Sequence, residues 1–417
     1  MNAVHLPPLL NSGDKPRFSF PSSAPEPSDL QLSCCPMPIY TARKTVPSTP
    51  SDGTRTEPTY LVKVLTTSPT RHELTWQETL LPERFTTIKG PIPCHDVVGQ
   101  VVAVNGEFSE SPTFSIGDCV FGLIDFDRDG AAAEYTIVKE SEIAQIPARP
   151  EGWEGGQKEW EEMLATVPLS ALTAWQALFR YGELQEPLIP ASTSNIEETT
   201  RSISKTGPDS TLIKRSINVL ITGAAGGVGL LTIQLLNIAR CSQVGVRVNI
   251  TAICSKRHAA TVKQLGADHV LTYDANAPSN QFESMFAPDT TYDLILDLVG
   301  PSLLTKLLNL YHASCSFLNP LTGKIVSIAA PLDISTPAFP SMNAKEIQNL
   351  QSRFKFFVVK PDAGQLGKIG ALIAVGQIRG FVDRVFPLEQ GKEAMEECER
   401  RGRKAAGKVV IRVGLSE

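Results

Sequence analysis

The chain has 417 residues, a net charge of −5 at neutral pH and a sequence pI near 5.8. This acidic balance, without an evident basic face, argues against nucleic acid as a partner. The eight cysteines show no CxxC spacing, which favours reduced thiols in a cytoplasmic protein. No long uninterrupted apolar stretch predicts a membrane span, and the first residues lack the pattern of a secretory signal. The length suffices for two domains.

The first half of the chain is predicted to be rich in strands. Eleven of the 31 prolines lie in the first 58 residues, where Met1 to His5 could form an edge strand. From Tyr60 onward, the segments YLVKVLT, VVGQVVAV, CVFGL and AEYTIV alternate, which predicts an antiparallel or barrel domain. Helical spacing follows over 151–180. Residues 191–211 hold ten serines or threonines in 21 positions, so we expect a mobile insertion over about 184–216.

A glycine-rich turn follows the insertion, in INVLITGAAGGVGLLTIQLL at residues 217–236. It lies between an apolar strand and an apolar helix, and three of its four glycines (223, 226 and 229) are spaced by three. Such a turn lets backbone amides approach the pyrophosphate of a dinucleotide at a helix N-terminus. A tight turn without a ligand would not need small residues at nearly every position. The predicted cofactor-binding residues here are Gly223, Ala224, Ala225, Gly226, Gly227, Val228 and Gly229.

Strand and helix patterns then alternate, which predicts a parallel, doubly wound sheet. The second strand of this sheet continues into Ser255, Lys256 and Arg257. NAD-specific sites usually place an acidic residue there, to bind the ribose hydroxyls. A hydroxyl and two cations instead favour the 2′-phosphate of NADPH. In the alternative interpretation, Ser255 caps the next helix and the two cations are solvated.

Several segments, in chain order, resemble the medium-chain dehydrogenase/reductases, and specifically their zinc-independent quinone and enoyl reductase branch. They are PCHDVVGQVVAV, FSIGDCVFGL, LSALTAWQAL, GAAGGVG, KQLGADHVLTYD, YDLILDLVG, GKIVSIA and GKVVIRV. The segment TRHELTWQE is similar to a form common among fungal members. The resemblance, over about 60–417, implies an α/β fold with a GroES-like β-rich catalytic domain and a Rossmann doubly wound parallel-sheet domain. We expect residues 1–165 and 353–417 to form the first domain and 166–352 the second.

The resemblance also implies roles for single residues. Where zinc-binding members place a cysteine, a histidine and a second cysteine, this chain has Thr70, His95 and Leu169, so we expect no metal. Thr70 becomes the candidate catalytic hydrogen-bond donor to a substrate carbonyl. Glu73 and Trp76 either line the same substrate pocket or pack at the domain interface. Further cofactor contacts are implied for Thr173, Tyr273, Val299, Gly300, Ser327, Ala329, Phe357 and Lys408.

Together these features predict an NADPH-dependent, zinc-independent reductase. Its substrate would be an enone, an enoyl thioester or a quinone, and a polyketide synthase is a candidate partner if it acts in trans in secondary metabolism. The alternative is a nucleotide-binding member with little turnover and a structural or regulatory role. We expect a monomer or homodimer without nucleic-acid or membrane partners. The residues indicate no proton donor.

Overall fold

Two β-sheets built from different parts of the chain organise the molecule. The computed structural model describes residues 1–5, 30–34, 57–75, 92–105, 111–189, 215–242, 245–273, 285–286, 290–313, 317–335, 339, 341–400 and 406–414. Trp76 and residues 190–214 of the predicted insertion lie outside these ranges. Within the described ranges, no helix combines the length and the apolar character needed to cross a bilayer.

The first part of the chain contributes mainly strands. They are β1 (Asn2–His5), β2 (Gln31–Cys34), β3 (Thr59–Ser68), β4 (Asp96–Asn105), β5 (Cys119–Leu123), β6 (Tyr135–Lys139) and β7 (Ile143–Gln145). The strands β1 and β2 form an antiparallel pair, so the edge strand expected at the N-terminus is present. Two helices follow, α1 (Gln157–Ala165) and α2 (Pro168–Trp175), and α2 continues into a π-helical turn at Gln176–Tyr181.

The middle of the chain forms a six-stranded parallel sheet. Its elements are β8 (Arg215–Ile221), α3 (Gly227–Ser242), β9 (Val246–Ser255), α4 (Ala259–Gln264), β10 (His269–Tyr273), β11 (Leu294–Asp297), α5 (Pro301–Ala313), β12 (Lys324–Ser327), α6 (Ala344–Arg353) and β13 (Phe354–Phe356). The strand order is β10-β9-β8-β11-β12-β13. The chain therefore reverses its direction across the sheet between β8 and β11, and such a switch point is where open α/β sheets bind ligands.

The end of the chain returns to the first sheet. After α7 (Ala363–Ala374), β14 (Val382–Pro387) and β15 (Lys408–Arg412) flank α8 (Gly391–Glu399). The seven-stranded sheet has the order β14-β15-β3-β4-β5-β7, with β6 also paired to β3. The predicted α/β fold, with a β-rich sheet and a Rossmann-like parallel sheet, is confirmed. The parallel sheet extends to Phe356, beyond the domain boundary expected at residue 352. The sequence did not predict this last strand, because the three residues FKF are too few to show a hydrophobic period.

Helix α2 joins the two sheets through a shared apolar core. All eight of its residues are buried, and the core around it includes Phe121 of the first sheet and Leu296 of the parallel sheet. Fully burying a side chain such as Leu172 contributes roughly 1.5–3 kcal/mol. The Gln176 side chain extends the junction, since it donates to the Lys360 carbonyl at 2.8 Å and accepts from the Lys360 N–H at 3.1 Å. The two sheets are thus packed against one another around α2.

Candidate active site

The three glycines at three-residue spacing in the turn have different surroundings. Gly223 has a φ of +62°, a conformation that L side chains rarely adopt. A Cβ at Gly229 would lie 2.6 Å from the Ala224 Cα, so this glycine permits close packing of α3 on the turn. Gly226 is exposed, and a Cβ there would meet only the Gly223 carbonyl oxygen, at 3.4 Å. The turn therefore leaves open space above its second glycine.

The amino end of α3 is suited to an anion. The Leu230 N–H donates to the Gly226 carbonyl at 2.9 Å and begins the helical hydrogen-bond ladder. The N–H groups of Gly227 to Gly229 precede it, so they have no intrahelical acceptor and carry the positive end of the helix dipole. The Ala224 N–H donates to the Ile253 carbonyl at 3.0 Å, which anchors the turn on β9. Open space and unused helical amides fit the pyrophosphate of a dinucleotide.

A buried carboxylate, Asp297, organises the ends of three parallel strands. One of its oxygens accepts from the Thr222 hydroxyl at 3.3 Å, and the other accepts from the Ser327 hydroxyl at 2.9 Å. It also accepts the N–H groups of Val299, at 3.3 Å, and Gly300, at 3.1 Å. The carboxylate is fully buried, so these bonds replace its hydration. Asp297 therefore fixes the loop that follows β11.

The next loop is tied to the same cluster. The Ser327 oxygen accepts from the N–H groups of Ala329 and Ala330, each at 3.3 Å. Gly300 has a φ of +99°, and a Cβ on it would lie 3.2 Å from the Ala329 Cβ. The predicted cofactor residues of the two loops are thus brought together. Sequence reasoning missed Asp297 and Thr222, although both are polar residues at the carboxyl ends of apolar strands, where Rossmann sheets bind ligands.

Ser255 and Tyr273 are register partners at the ends of β9 and β10. Lys256 and Arg257 follow and are exposed, and Tyr273 is also exposed. Ser255 occupies the N-cap position of the turn Lys256–His258, yet its side chain makes no capping hydrogen bond. The Ser255 side chain therefore does not act as a cap, while the exposure of Lys256 and Arg257 is compatible with both interpretations. The four residues lie at one corner of the sheet, beside the glycine turn on β8.

Two predicted cofactor residues use their hydrogens within the protein. The Thr173 hydroxyl donates to the Leu169 carbonyl at 2.6 Å, one helical turn earlier in α2. The Phe357 N–H donates to the Ser327 carbonyl at 3.3 Å. The Phe357 ring packs against the Tyr181 ring at a centroid distance of 4.4 Å, with the two planes tilted by 35°. These residues can therefore only accept hydrogen bonds from a ligand, through the Thr173 hydroxyl oxygen and the Phe357 carbonyl oxygen.

Thr70, Asp96 and Lys408 come together although they are far apart in sequence. The Lys408 ammonium donates to the Asp96 carboxylate at 2.5 Å and to the Thr70 hydroxyl oxygen at 3.1 Å. Asp96 also accepts the Leu169 N–H at 2.7 Å. Burial raises the pKa of the Asp96 carboxyl, and the adjacent Lys408 charge opposes that rise. Thr70 is half-buried at the edge of this cluster.

Glu73 braces the segment that carries Thr70. One carboxylate oxygen accepts the Thr70 N–H at 2.9 Å and the other accepts the Cys94 N–H at 2.6 Å. Glu73 is only 1% exposed, so it packs in the interior instead of lining a substrate pocket. Burial, followed by the Glu73 charge, raises the pKa of the Cys94 thiol well above its ordinary value. Cys94 is therefore not a nucleophile at neutral pH, because the thiolate is the reactive form.

The site combines a glycine turn at the switch point of a parallel sheet with a hydroxyl and an ammonium group beside it. This combination is typical of a nucleotide-dependent enzyme of the α/β class.

A family model described as zinc-binding dehydrogenase matches residues 265–411. A probable zinc-binding mitochondrial oxidoreductase of Arthroderma benhamiae is 29% identical over 354 residues, which are 85% of this chain and 88% of that protein.

Two further comparisons agree with this class. A mitochondrial NAD(P)H oxidoreductase of Mus musculus is 27% identical over 308 residues, 72% of this chain and 65% of that protein. The solved quinone oxidoreductase of Coxiella burnetii matches with a TM-score of 0.63 and 22% identity, over 99% of both chains. The chain belongs to the medium-chain dehydrogenase/reductase family, in its quinone oxidoreductase-like branch, and is an oxidoreductase. The predicted family is confirmed.

The two curated relatives are named as mitochondrial. For this chain, the cytoplasmic location stays a prediction.

The zinc in the names of the family and the fungal relative raises the question of a metal here. Of the three ligand positions, only His95 carries a side chain that zinc commonly binds. Thr70 has a hydroxyl that accepts from Lys408, and Leu169 has a buried aliphatic side chain. Among the described residues, no group of three histidine, cysteine, aspartate or glutamate side chains is placed to hold a metal. Zinc sites use three or four such ligands. The side chains at this position therefore do not fit zinc.

We expect the purified protein to contain far less than one zinc ion per chain, because a single histidine binds zinc weakly. Prolonged dialysis against a chelator should leave its reductase activity unchanged. Elemental analysis of protein prepared without a metal-affinity tag provides the measurement. About one zinc per chain, together with activity that chelation abolishes and zinc restores, would contradict this expectation.

Proposed function

We propose that the chain is an NADPH-dependent, zinc-independent reductase that acts on the activated C=C bond of an enone or enoyl thioester, or on a quinone. The observation that carries the proposal is the position of Lys408. Its aliphatic stem lies against Gly227, the first residue of α3, since a Cβ there would be 3.0 Å from the Lys408 Cγ. Its ammonium reaches the Thr70 hydroxyl at 3.1 Å. The glycine turn and the candidate substrate residue are therefore neighbours.

NADPH would supply a hydride, and the residues present suit its binding. The N–H groups at the start of α3 suit the pyrophosphate, while Ser255, Lys256, Arg257 and Tyr273 suit the 2′-phosphate. The mouse relative is named as an NAD(P)H oxidoreductase, which supports a nicotinamide cofactor without choosing between its two forms. The remaining cofactor contacts are proposed at Thr173, Val299, Gly300, Ser327, Ala329 and Phe357.

Thr70 would donate a hydrogen bond to the carbonyl oxygen of the substrate. Negative charge develops on that oxygen as an enone or quinone is reduced, and a fixed donor stabilises such charge. An already polarised substrate does not require the Lewis acid that alcohol oxidation takes from zinc. The site then lies between a catalytic domain of residues 1–165 and 353–417 and a nucleotide domain of 166–352.

The function is tested by incubating the protein with NADPH and a panel of quinones, enones and enoyl thioesters. Loss of NADPH absorbance and mass spectrometry of the products report turnover. The Thr70→Val variant should be at least about a hundredfold slower, given the usual effect of losing an oxyanion donor. Reduction of enoyl thioesters alone would favour an enzyme of polyketide biosynthesis. If the protein retains NADPH but none of the acceptors in the panel causes NADPH oxidation, the result would instead favour a structural or regulatory role.

The choice of NADPH over NADH depends on Arg257 in this proposal. Replacing it with alanine removes a charge-assisted contact of roughly 1.5–3 kcal/mol, so NADPH should bind about tenfold to a hundredfold more weakly. NADH affinity should hardly change, and adding Ser255→Asp should shift the preference towards NADH. Fluorescence titration of both cofactors at low and high salt measures the effect.

A matched control for Arg257 is Lys263→Ala. Lys263 lies on α4, the helix that directly follows the turn Lys256–His258. Its ammonium donates to the Asp268 carbonyl at 2.6 Å, so we expect no change in the NADPH/NADH affinity ratio. Equal losses for both cofactors in Arg257→Ala would place that residue in a structural role. A wild-type preference for NADH would overturn the choice of NADPH itself.

A further inference from the structure

Lys408 connects three parts of the molecule. It is the first residue of β15, its stem lies against Gly227 at the start of α3, and its ammonium lies between Asp96 and Thr70. Only 7% of Lys408 is exposed. The family resemblance implies that this lysine contacts the cofactor, whereas the structure shows its nitrogen engaged with groups of the β-rich sheet.

The direction of the Thr70 hydroxyl follows from the chemistry of lysine. An ammonium group has three N–H donors and no acceptor, so the Thr70 oxygen accepts from Lys408. The hydroxyl hydrogen of Thr70 must therefore point away from Lys408. In the part of the chain that the structure describes, no hydrogen bond from this hydroxyl to a protein acceptor is formed. Its hydrogen is thus available to an acceptor on a bound molecule.

Asp96 keeps the ammonium in place. Its carboxylate is fully buried at the start of β4 and is fixed on its other side by the Leu169 N–H. A buried carboxylate that lost its cation would be strongly unfavourable, so the lysine nitrogen remains beside it. This arrangement leaves the ammonium little freedom to turn towards the cofactor phosphates.

We propose that Lys408, held by Asp96, is a positioning residue that turns the Thr70 hydroxyl into a donor to the substrate oxygen. The inference rests on the proposed reduction and adds a group that orients Thr70 in that reaction. The positive charge behind the hydroxyl strengthens its donation, because a donor that itself accepts from a cation is more polarised. The arrangement stabilises the enolate oxygen of a reduced enone, or the phenolate oxygen of a reduced quinone, without a metal ion.

The first test measures kcat and NADPH affinity in matched variants. Asp96→Asn/Lys408→Met removes the ion pair without leaving a charge unpaired, and it keeps a long stem against Gly227. We expect kcat to fall about a hundredfold to a thousandfold, as for the loss of an oxyanion donor, while the NADPH Kd stays within about threefold of the wild-type value. Thr70→Val should match this loss, and Thr70→Ser, which keeps the hydroxyl, should restore most of the activity.

The triple variant, which adds Thr70→Val to the double variant, decides whether the groups act as a unit. If they do, its kcat should fall no further than that of Thr70→Val, since coupled groups are not additive. Additive losses, or a weakened NADPH Kd with unchanged kcat, would show that Lys408 serves the cofactor and would overturn the proposal. If the neutral pair does not fold, Lys408→Arg keeps the charge of the pair while displacing the donor from Thr70, and the same loss of kcat is expected.

A second readout needs no turnover. With 4-nitrophenol bound to the NADP⁺ complex, the absorbance of the phenolate reports the pKa of the bound phenol. The wild type should lower this pKa, and both Thr70→Val and the double variant should raise it again by about one unit, a tenfold change. An unchanged pKa in the variants would overturn the proposed role of Lys408. A wild type that lowers the phenol pKa but reduces no acceptor would support the arrangement and overturn only the proposed reduction.

Discussion

Replacing Gly226 with valine should weaken NADPH binding by more than about a hundredfold while leaving a folded protein. A Cβ at this exposed glycine meets only one backbone oxygen, at 3.4 Å, so the protein itself has room for a side chain. The added methyl groups would occupy the open space beside the N–H groups at the start of α3. Two lost charge-assisted hydrogen bonds of roughly 1.5–3 kcal/mol each correspond to a loss of about 10² to 10⁴ in affinity.

Two other glycines provide controls for this variant. Gly367 lies exposed in α7 with nothing within 4 Å of its Cβ position, so Gly367→Val should bind NADPH normally. At Gly229, the Cβ would lie 2.6 Å from the Ala224 Cα, so Gly229→Ala should lower stability instead of acting only on the cofactor. Circular dichroism and fluorescence titration separate the two effects. Normal NADPH binding by Gly226→Val would mean that the turn has only a structural role.

The parts of the fold that depend on local pattern were predictable from the sequence. The positive φ at Gly223 and the close packing at Gly229 follow from a glycine triplet between a strand and a helix. The parallel sheet follows from repeated alternation of strands and helices, because each unit shows its own period. The strand Phe354–Phe356 was missed because three residues cannot show a period.

The contacts that organise the candidate site were not predictable, because they join residues distant in the chain. Lys408 meets Asp96 across 312 positions, and Asp297 meets Thr222 across 75. The residues next to Asp96 in sequence do not indicate that it pairs with Lys408. Those next to Asp297 do not indicate that it pairs with Thr222. For Glu73 the sequence allowed both a pocket residue and one packed at the domain interface. Its exposure of 1% and its two hydrogen bonds, to the N–H groups of Thr70 and Cys94, favour packing.

Asp297→Leu should lower both the stability of the protein and its affinity for NADPH. The change leaves two hydroxyls and the N–H groups of Val299 and Gly300 without their buried acceptor. An unsatisfied buried group costs about 1–3 kcal/mol, and partial relaxation should limit the total to roughly 2–4 kcal/mol. The loops after β11 and β12 would lose their common anchor, so NADPH should bind at least about tenfold more weakly, the usual scale for a lost supporting group. Urea unfolding and fluorescence titration measure the two effects.

The other end of β11 offers a matched control in Asp293. Its carboxylate accepts the Asn218 N–H at 2.8 Å and the Asn319 side-chain N–H at 2.7 Å. Asp293 directly precedes β11, at the amino end of that strand and away from the glycine turn. Asp293→Leu should therefore lose stability but change the NADPH Kd by less than about twofold, because separated sites act independently. The stability and NADPH affinity of Asp297→Asn should lie between those of the wild type and Asp297→Leu. The asparagine oxygen can still accept the N–H groups of the loop. Its NH₂ group, however, faces the Ser327 hydroxyl oxygen, which already accepts two N–H groups. If Asp297→Leu bound NADPH as tightly as Asp293→Leu, the buried carboxylate would serve the fold alone and the two loops would keep their binding conformation without it.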